Sequence, residues 1–281
     1  MNRRSSILQQ LRASATWLTG DTLSGDLHIS RAAVSKHIRI LRDAGYRIDT
    51  APNRGYRFRS APDLLLADEV QPLARSKTVG QSGYEHFLTI GSTNTEARRL
   101  AEKGAPSGTL VVAEEQTSGK GRKSRDWASP KQMGIYATLI LRPTLPIEET
   151  PLLTLMVAVA TCEAITAATG ISATIKWPND ILVNGKKVAG ILTEVSSEVD
   201  RVEFALIGIG LNVNTPVDSL PKRVIFPATS LAKEAGAPQA RAIILAHWLE
   251  QVETEYAQLA EGDRKGLLDH WKSLTSIIGR R

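Results

Sequence analysis

The chain has 281 residues, enough for two domains and a small third, and its 42% hydrophobic and 23% charged residues are ordinary for a globular protein. No apolar run reaches the length expected of a membrane span, and no apolar segment behind the basic start suggests a secretion signal. The single cysteine, Cys162, excludes an internal disulfide and lies in an apolar stretch that predicts a buried thiol. We therefore expect a cytoplasmic protein with no membrane partner.

The net charge of +6 is concentrated at one end of the chain. Residues 1–60 contain 11 lysines and arginines against 4 aspartates and glutamates, a balance of +7, so the remaining residues sum to −1. A basic segment of this size indicates a polyanionic partner for the N-terminal part of the chain.

The spacing of apolar residues in this basic segment predicts three short helices and a hairpin. The first helix opens near Ile7, the second near Thr19, and the third at Ser30, a residue type that caps helix N-termini well. The hairpin is predicted from strands at 46–50 and 56–59 around a turn at 52–55. The apolar stripe of the third helix is Val34, Ile38 and Leu41.

Three helices followed by a basic hairpin describe a winged helix-turn-helix over residues 1–60, and the stretch 28–38 resembles the recognition helix of bacterial helix-turn-helix repressors. In such a domain the third helix enters the major groove of DNA, while the wing meets the backbone or the minor groove. The alternative is a winged helix that contacts protein; the charge balance favours DNA. The candidate DNA-binding residues are Arg31, Ser35, Lys36, Arg39 and Arg54.

Residues 61–83 mix proline, serine and charge, and predict an inter-domain linker with one short helix near 65–73. The central domain is expected to start near Tyr84. A strand at 85–90 leads to Ser92-Thr93-Asn94 at the start of a helix, where these side chains could cap the helix or hold a polar ligand.

The most basic segment of the central domain is the loop 116–127, which lies between apolar strands predicted at 109–113 and 134–141. Its two glycines allow backbone N–H groups to approach an anion closely, and its arginines match phosphate and carboxylate oxygens. The loop therefore suits a dianionic ligand. Taken alone, it could equally be a solvated surface loop.

Three further motifs follow this loop, after a long apolar helix predicted at 151–168. Pro178-Asn179-Asp180 interrupts a predicted strand, and Asn184-Gly185 predicts a type I′ hairpin turn that leads into Lys187. The strand predicted at 202–210 ends in closely spaced glycines, which often mark the approach of a ligand. Two amphipathic helices, at 240–260 and 263–274, are predicted to close the domain.

Together, the loop 119–127 and the motifs at 176–180, 187–192 and 208–214 resemble those of biotin protein ligases. With the winged helix in front, the chain is similar to the bifunctional members of that family, which also repress the biotin operon. The resemblance implies an α+β protein: a winged helix-turn-helix at 1–60, a linker at 61–83, and a class II synthetase-like mixed-sheet catalytic domain at 84–281.

The family's reaction has two steps. The biotin carboxylate attacks the α-phosphorus of ATP and gives biotinyl-5′-AMP and pyrophosphate; a lysine of a biotin carboxyl carrier protein, from acetyl-CoA carboxylase, then displaces AMP. The resemblance further implies Mg²⁺, operator DNA and a homodimer of adenylate-bound subunits that join through sheet edges.

The resemblance also assigns roles to residues, with Arg122 and Lys187 as the main catalytic charges and Asp180 as the expected metal ligand. Trp127 is expected to order the closed loop, and Asn179 and Asp180 to arrange the nucleotide. The implied biotin-binding residues are Ser92, Thr93, Asn94, Gln116, Lys120, Gly121, Arg122, Lys187 and Gly190. The implied ATP-binding residues are Arg125, Trp127, Asn179, Asp180 and Asn212.

The sequence departs from the family pattern in two places. Lys120 stands where the family most often has arginine, which keeps the charge but loses a bidentate fork. The family usually continues past the position of Arg281 into a small SH3-like domain that helps to hold ATP and the carrier, and we expect that domain to be absent here. These departures leave open a biotin-sensing DNA-binding regulator with weak or no ligase activity, and the related fold leaves open a lipoate or octanoate ligase. The motif at 177–180 and the winged helix argue against the second.

Overall fold

A computed structural model describes residues 3–198, 201–220 and 227–275 of the chain, which divides into two compact units, 1–63 and 64–281. The last residues of the expected catalytic domain, 276–281, lie outside the described residues. Both helices and strands are present in each unit, as expected for an α+β protein.

The first unit consists of α1 (Arg3–Ala13), α2 (Gly20–Leu27), α3 (Arg31–Asp43), β1 (Arg47–Ala51) and β2 (Gly55–Ser60). The cap predicted for α3 is present, because the Ser30 hydroxyl accepts a hydrogen bond from the Ala33 backbone N–H. At the predicted entry to α2, the Thr19 hydroxyl accepts one from the Thr22 backbone N–H. The predicted stripe of α3 is fully buried. This is the predicted winged helix-turn-helix.

The wing is held to the helices by backbone and side-chain contacts. Tyr56 exchanges two backbone hydrogen bonds with Leu18, at 2.9 and 2.8 Å. Gly55 has a φ of +90°, and a Cβ there would overlap the Leu18 carbonyl, so this approach requires glycine. The Arg42 guanidinium on α3 donates to the Ile48 carbonyl at 2.9 Å and fixes the hairpin against the helix.

The second unit is built on a seven-stranded mixed sheet in the order β3-β4-β5-β9-β8-β7-β6, in which only the β3–β4 pair is parallel. The strands are β3 (Gly83–Phe87), β4 (Thr109–Ala113), β5 (Gly134–Leu141), β6 (Thr174–Lys176), β7 (Asp180–Val183), β8 (Lys186–Glu198) and β9 (Arg201–Asn212). The helices are α4 (Ala67–Val70), α5 (Thr93–Glu102), α6 (Pro151–Thr169), α7 (Leu231–Ala235), α8 (Arg241–Ala260) and α9 (Arg264–Leu274). The mixed sheet expected from the motifs is thereby confirmed.

The two faces of this sheet are covered differently. The smaller α5 packs Ala97 and Ala101 against Val111, Ile140 and neighbouring side chains of β9. The larger core lies on the opposite face, where α6 and α8 bury their apolar side chains against the alternate residues of the same strands. The α5 face is therefore the thinner one, and it leaves part of the sheet uncovered by helix.

The long apolar helix of the core corrects one expectation. The stretch Ile147–Thr169, of 23 residues, is long and apolar enough to cross a membrane by length and composition, although no such run was expected. Just over half of its apolar window, 56%, is buried, Met156 and Val157 among the buried residues of the larger core, because the helix packs between the sheet and α8. Cys162 is buried on the same helix, as predicted, and burial raises the pKa of its thiol to about 12.

The segment expected to be a linker is largely part of the second unit, which begins at Leu64. Leu65, Val70 and Val79 are fully or almost fully buried in the larger core. Glu253 on α8 accepts hydrogen bonds from the three backbone N–H groups of residues 77–79, at 2.7 to 3.1 Å. Burial opposes ionisation of Glu253, but these bonds outweigh it and hold its pKa below the ordinary value. The buried apolar side chains and the Glu253 carboxylate together explain why residues 64–83 pack against the second unit and do not form a free linker.

One buried ion pair ties the end of β4 to the start of α8. Glu114 and Arg241 are both inaccessible to solvent and meet at 2.8 Å. Glu114 also accepts hydrogen bonds from the His86 imidazole at 2.9 Å and the Leu65 backbone N–H at 2.6 Å. Burial raises the pKa of Glu114, but these three partners together hold it below its ordinary value of 4.5. The carboxylate therefore stabilises the fold in its ionised form.

This arrangement predicts acid sensitivity of the second unit. Because the pKa of Glu114 is lowered by folding, its contribution to the free energy of unfolding is complete above pH 4.5 and is lost as the pH falls through the folded value. We expect the thermal midpoint to fall steeply below about pH 4.5. The Glu114→Gln/Arg241→Met double variant removes both charges. The slope of its free energy of unfolding against pH should therefore be shallower, by the equivalent of up to about one bound proton. An unchanged slope in calorimetry across pH 3 to 6 would contradict this assignment.

Candidate active site

A single cavity on the α5 face of the sheet gathers the motifs that the sequence marked. The loop 116–128, the start of α5, and strands β7, β8 and β9 surround it. Every residue implied to bind biotin or ATP lines this cavity: Ser92, Thr93, Asn94, Gln116, Lys120, Gly121, Arg122, Arg125, Trp127, Asn179, Asp180, Lys187, Gly190 and Asn212.

The basic loop forms a small two-armed hairpin. Its arms pair through the Trp127 N–H and the Gly119 carbonyl at 2.9 Å, and through the Gly121 N–H and the Arg125 carbonyl at 2.7 Å. Gly119 has no room for a side chain, since a Cβ would lie 2.5 Å from the Trp127 carbonyl. Lys123 turns the tip with a φ of +56°. The hairpin thus presents Lys120, Arg122 and Arg125 beside the cavity.

The Trp127 indole lies against bare backbone in the middle of the sheet. A Cβ on Gly210 of β9 would overlap the indole, and one on Gly190 of β8 would lie 3.0 Å from it. Gly190 and Gly210 are direct partners in the β8–β9 ladder, so together they form one bare patch. The indole Nε1 is buried and has no hydrogen-bond partner among the described residues. The ring therefore forms a wall of the cavity with an unsatisfied donor.

One end of the cavity is polar and uncharged. Ser92, Thr93 and Asn94 are all buried at the N-terminus of α5. Ser92 is the N-cap residue by position, but within the described chain its hydroxyl makes no capping hydrogen bond. Gln116 bridges to this end, because its Oε1 accepts from the Thr93 backbone N–H at 2.9 Å. These side chains place several hydrogen-bond donors and acceptors at one end of the cavity.

The other end of the cavity carries positive charge. The Lys187 ammonium lies 2.6 Å from the Asp180 carboxylate and 5.3 Å from the centre of the Trp127 ring. The Arg122 guanidinium donates to the Asn179 side-chain oxygen at 3.2 Å. Asn179 is itself fixed by two hydrogen bonds with the backbone of Ile191, at 2.7 and 2.9 Å. A lysine and an arginine are thus held by two consecutive residues, Asp180 and Asn179.

The backbone of β8 orders Lys187 further. Its N–H donates to the Pro227 carbonyl and its carbonyl accepts from Thr229, both at 2.8 Å. Asn212 donates to the Thr229 carbonyl at 3.1 Å, while its own side-chain oxygen is buried and unpaired among the described residues. This oxygen and the Trp127 Nε1 are an orphaned acceptor and an orphaned donor, as expected where a ligand supplies the missing partners.

Some residues of the site were given no individual role by the sequence. Asp126 of the basic loop and Gly208, Ile209 and Gly210 of the predicted glycine motif line the cavity. Thr138 and Glu194, which hydrogen-bond to residues that line it, lay outside every motif. Gly208 and Gly210 carried the signal from which the approach of a ligand was predicted, the small-residue spacing of β9. Thr138 and Glu194 carried none, because each lies in an ordinary strand pattern and reaches the site only across neighbouring strands.

The five candidate DNA-binding residues of the first unit are all exposed, and three of them make contacts within that unit. Arg31 lies 3.2 Å from the Asp21 carboxylate, and the Ser35 hydroxyl lies 3.0 Å from that of Tyr56. The Arg54 guanidinium covers the Trp17 ring at 5.0 Å. The α3 helix thus presents a basic outer face, while the wing arginine is ordered by an aromatic ring.

Comparison with known proteins identifies the class of enzyme to which this fold and site correspond. Residues 87–214 match the biotin/lipoate A/B protein ligase family, and residues 3–57 match a helix-turn-helix domain family. The biotin protein ligase of Aquifex aeolicus, solved in complex with biotin and ATP, superposes with a TM-score of 0.61 at 29% identity, covering 70% of this chain and 80% of that one.

Two curated relatives extend the match to nearly the whole chain. The bifunctional ligase/repressor BirA of Bacillus spizizenii is 44% identical over 95% of this chain and 82% of its own length. That of Bacillus subtilis is 43% identical over the same shares. The chain therefore belongs to the biotin protein ligase family, in its bifunctional ligase/repressor branch. It is a ligase with a DNA-binding repressor unit, as the sequence motifs predicted.

The position of the Trp127 ring over the β8–β9 glycines can be tested directly. In Gly210→Ala the new methyl group overlaps the indole, so the ring must leave the β8–β9 patch. With tryptophans labelled as 5-fluorotryptophan, the ¹⁹F resonance assigned through Trp127→Phe should shift clearly, while the other four stay in place. Gly91→Ala is the matched control, since nothing lies within 4 Å of its Cβ position. Equal spectra for Gly210→Ala and the parent would place the ring elsewhere.

Proposed function

We propose that the chain activates biotin with ATP to give biotinyl-5′-AMP, transfers the biotinyl group to a lysine of a biotin carboxyl carrier protein, and represses biotin synthesis genes through its first unit. The observation that carries the proposal is the two-ended cavity, in which an uncharged polar end meets a cationic end beside Trp127. Biotin has the matching form: an uncharged ureido ring at one end and a carboxylate at the other.

The cationic end suits the first chemical step. A carboxylate nucleophile needs no general base, so the main obstacle is to bring two anions together and to stabilise the charge that develops on phosphorus-bound oxygens. Lys187 and Arg122 supply two fixed positive charges for this purpose, and Arg125 on the same hairpin adds a third for the triphosphate. Asn179 and Asp180 hold the first two in place.

The polar end suits the recognition of the ureido ring by Ser92, Thr93, Asn94 and Gln116. The Trp127 indole and Gly190 would line the chain between ring and carboxylate, and Lys120 and Gly121 lie on the hairpin that covers it. Asn212, with its unpaired oxygen, would meet the nucleotide. The Lys120 ammonium lies 3.2 Å from the Thr95 hydroxyl, so this lysine already spans from the hairpin to α5.

Mg²⁺ is expected with ATP, and Asp180 is its expected ligand. The donor set does not form a protein-built metal site, because Asp180 is engaged by Lys187 and the described residues contain no group of three metal-ligating side chains. Mg²⁺ keeps most of its waters and binds nucleotide phosphates with few protein ligands. We therefore assign no step to the metal and treat it as part of the nucleotide substrate.

The remaining partners follow from the same proposal. Operator DNA would bind the basic outer face of α3, and adenylate-bound subunits would pair through an edge of the sheet, where β3 and β6 are the terminal strands. Because the proposed partners are a carrier domain and operator DNA, the proposal includes a cytoplasmic location and no membrane partner. Sedimentation with and without biotin and ATP measures the dimerisation.

A pyrophosphate exchange assay tests the proposed ligase activity. We expect the chain to incorporate labelled pyrophosphate into ATP only when biotin is present, because the first step is reversible. Octanoate and lipoate in place of biotin should give no exchange. Biotin-dependent operator binding without any exchange would instead establish a sensor that lacks ligase activity.

The role of the hairpin is tested by Arg122→Gly, which removes a cavity cation but leaves the buried core untouched. The variant should fold and form adenylate, but release it faster, by about tenfold or more, because a charge-assisted contact to an anion is lost. Lys123→Gly is the matched control, as it removes an adjacent exposed lysine that does not line the cavity and whose φ of +56° suits glycine. If both variants released adenylate at the parental rate, the hairpin assignment would be wrong.

A further inference from the structure

A short segment, residues 227–229, contacts two residues of the cavity wall at once. It pairs in parallel with β8 at Lys187, whose N–H donates to the Pro227 carbonyl and whose carbonyl accepts from the Thr229 N–H, both at 2.8 Å. The Thr229 carbonyl in turn accepts from the Asn212 amide nitrogen at 3.1 Å. The backbone of one residue, Thr229, therefore sets how far Lys187 lies from the Asn212 amide.

The carboxylate of Glu234, on α7, ties this segment to the turn from which β8 starts. One of its oxygens accepts from the Thr229 hydroxyl at 2.6 Å and from the Lys186 ammonium at 3.2 Å. The other oxygen accepts from the Asn184 amide nitrogen at 2.7 Å. Asn184 belongs to the β7–β8 turn, and Lys186 is the first residue of β8. Three donors from two separate parts of the chain thus meet on one carboxylate.

The contact between Thr229 and Glu234 is a strong one. The hydrogen bonds from Thr229 and Asn184 hold the pKa of Glu234 below its ordinary value, although burial opposes them. The carboxylate is therefore ionised near neutral pH, and hydrogen bonds to an ionised acceptor are shorter and stronger than those between neutral groups. Thr229 is 1% exposed and the Glu234 side chain 7%, so water competes little for either group.

Glu234 acts from a fixed position outside the cavity lining that the described residues form. Its helix is anchored on both of its sides. Leu231 is fully buried in the larger core, and the Ala232 N–H donates to the Val213 carbonyl at 2.8 Å. Val213 directly follows Asn212 at the end of β9. The helix that carries the carboxylate is therefore held to one of the two strands whose residues the segment 227–229 contacts.

We propose that Glu234 is a positioning residue for the adenylate-forming step, which through Thr229 fixes the distance between Lys187 and Asn212. The inference rests on the proposed function, which assigns Lys187 to the reacting carboxylate and phosphate and Asn212 to the nucleotide. A biotinyl-nucleotide touches both residues, whereas biotin alone reaches only Lys187. Because an error in the distance affects only a ligand that spans the two, loss of Glu234 weakens the biotinyl-nucleotide complex selectively.

Calorimetry on the full chain compares biotin with biotinol-5′-AMP, an adenylate analogue in which a methylene group replaces the biotinyl carbonyl and prevents hydrolysis. In Glu234→Ala and in Thr229→Val, the affinity for the analogue should fall about tenfold or more, because a buried hydrogen bond to a charged group is lost. The affinity for biotin should fall less than about threefold, since Lys187 keeps its Asp180 partner. Thr229→Ser keeps the hydroxyl and should keep the parental ratio.

Further variants test whether Glu234 acts through Thr229. The Glu234→Ala/Thr229→Val double variant should bind the analogue no more weakly than the weaker single variant, because both changes remove the same contact. Glu234→Gln keeps the shape but not the charge, should lose about threefold, and serves in place of Glu234→Ala if that variant does not fold. Glu149→Ala is the matched control, since it removes a carboxylate bound by Arg264 at 2.6 Å, and neither residue lines the cavity.

The outcomes separate this inference from the proposed function. Parental affinity for the analogue in the folded Glu234 and Thr229→Val variants would overturn the positioning role and leave the proposed function standing. Equal losses of biotin and analogue affinity, or additive losses in the double variant, would overturn it as well, by showing that the two residues only support the fold. If the wild-type chain bound neither biotin nor the analogue, the proposed function would fail, and the positioning role with it.

Discussion

The site depends on a strip of bare backbone in the central strands of the sheet. Gly208 and Gly210 alternate on the α5 face of β9, and Gly190 lies beside Gly210 on β8. A side chain at any of these positions would push against a residue of the site: the Asn94 amide above Gly208, and the Trp127 indole above the other two. Because the strip carries no side chains, two separate elements, α5 and the basic hairpin, reach the sheet itself, and the cavity forms between them.

The charged end works on a different principle, in which each cation is held by a neutral or acidic partner that is itself fixed. Lys187 is paired with Asp180 and Arg122 with Asn179, and adjacent positions at the start of β7 supply both partners. Asn179 and Asp180 are consecutive residues, so one peptide unit determines how far apart the two cations are held. In the proposed reaction a phosphate would compete with a carboxylate for Lys187 but with only an amide for Arg122, so Arg122 would be the more readily recruited of the two.

The sequence predicted the elements well where a periodic pattern and a capping or turn residue agreed. Strand β5 has the predicted bounds, Ser30 caps α3, and Asn184 and Gly185 both adopt the positive φ of a type I′ turn. The predictions were wrong where tertiary packing overrides local composition. Residues 64–83 have the composition of a linker, yet Leu65, Val70 and Val79 are core residues, and carboxylates of α8 bind the backbone between them. Nothing in the local sequence shows that a helix 175 residues later supplies those partners.

The same distinction explains which site residues the sequence could and could not reveal. Motif residues such as Lys187 and Arg122 are recognisable because their chemistry lies in a contiguous string. Glu194 and Thr138 are not, because they contact the site only through residues on other elements, and each looks like an ordinary strand position. Gln116 belongs to both groups: it begins the basic loop, and its side-chain oxygen also accepts hydrogen bonds from the backbone N–H and the hydroxyl of Thr93, at 2.9 and 3.1 Å. The basic loop and the polar end of the cavity therefore share a side chain. The start of α5 and the departure of the cationic hairpin are in this way fixed by one set of hydrogen bonds.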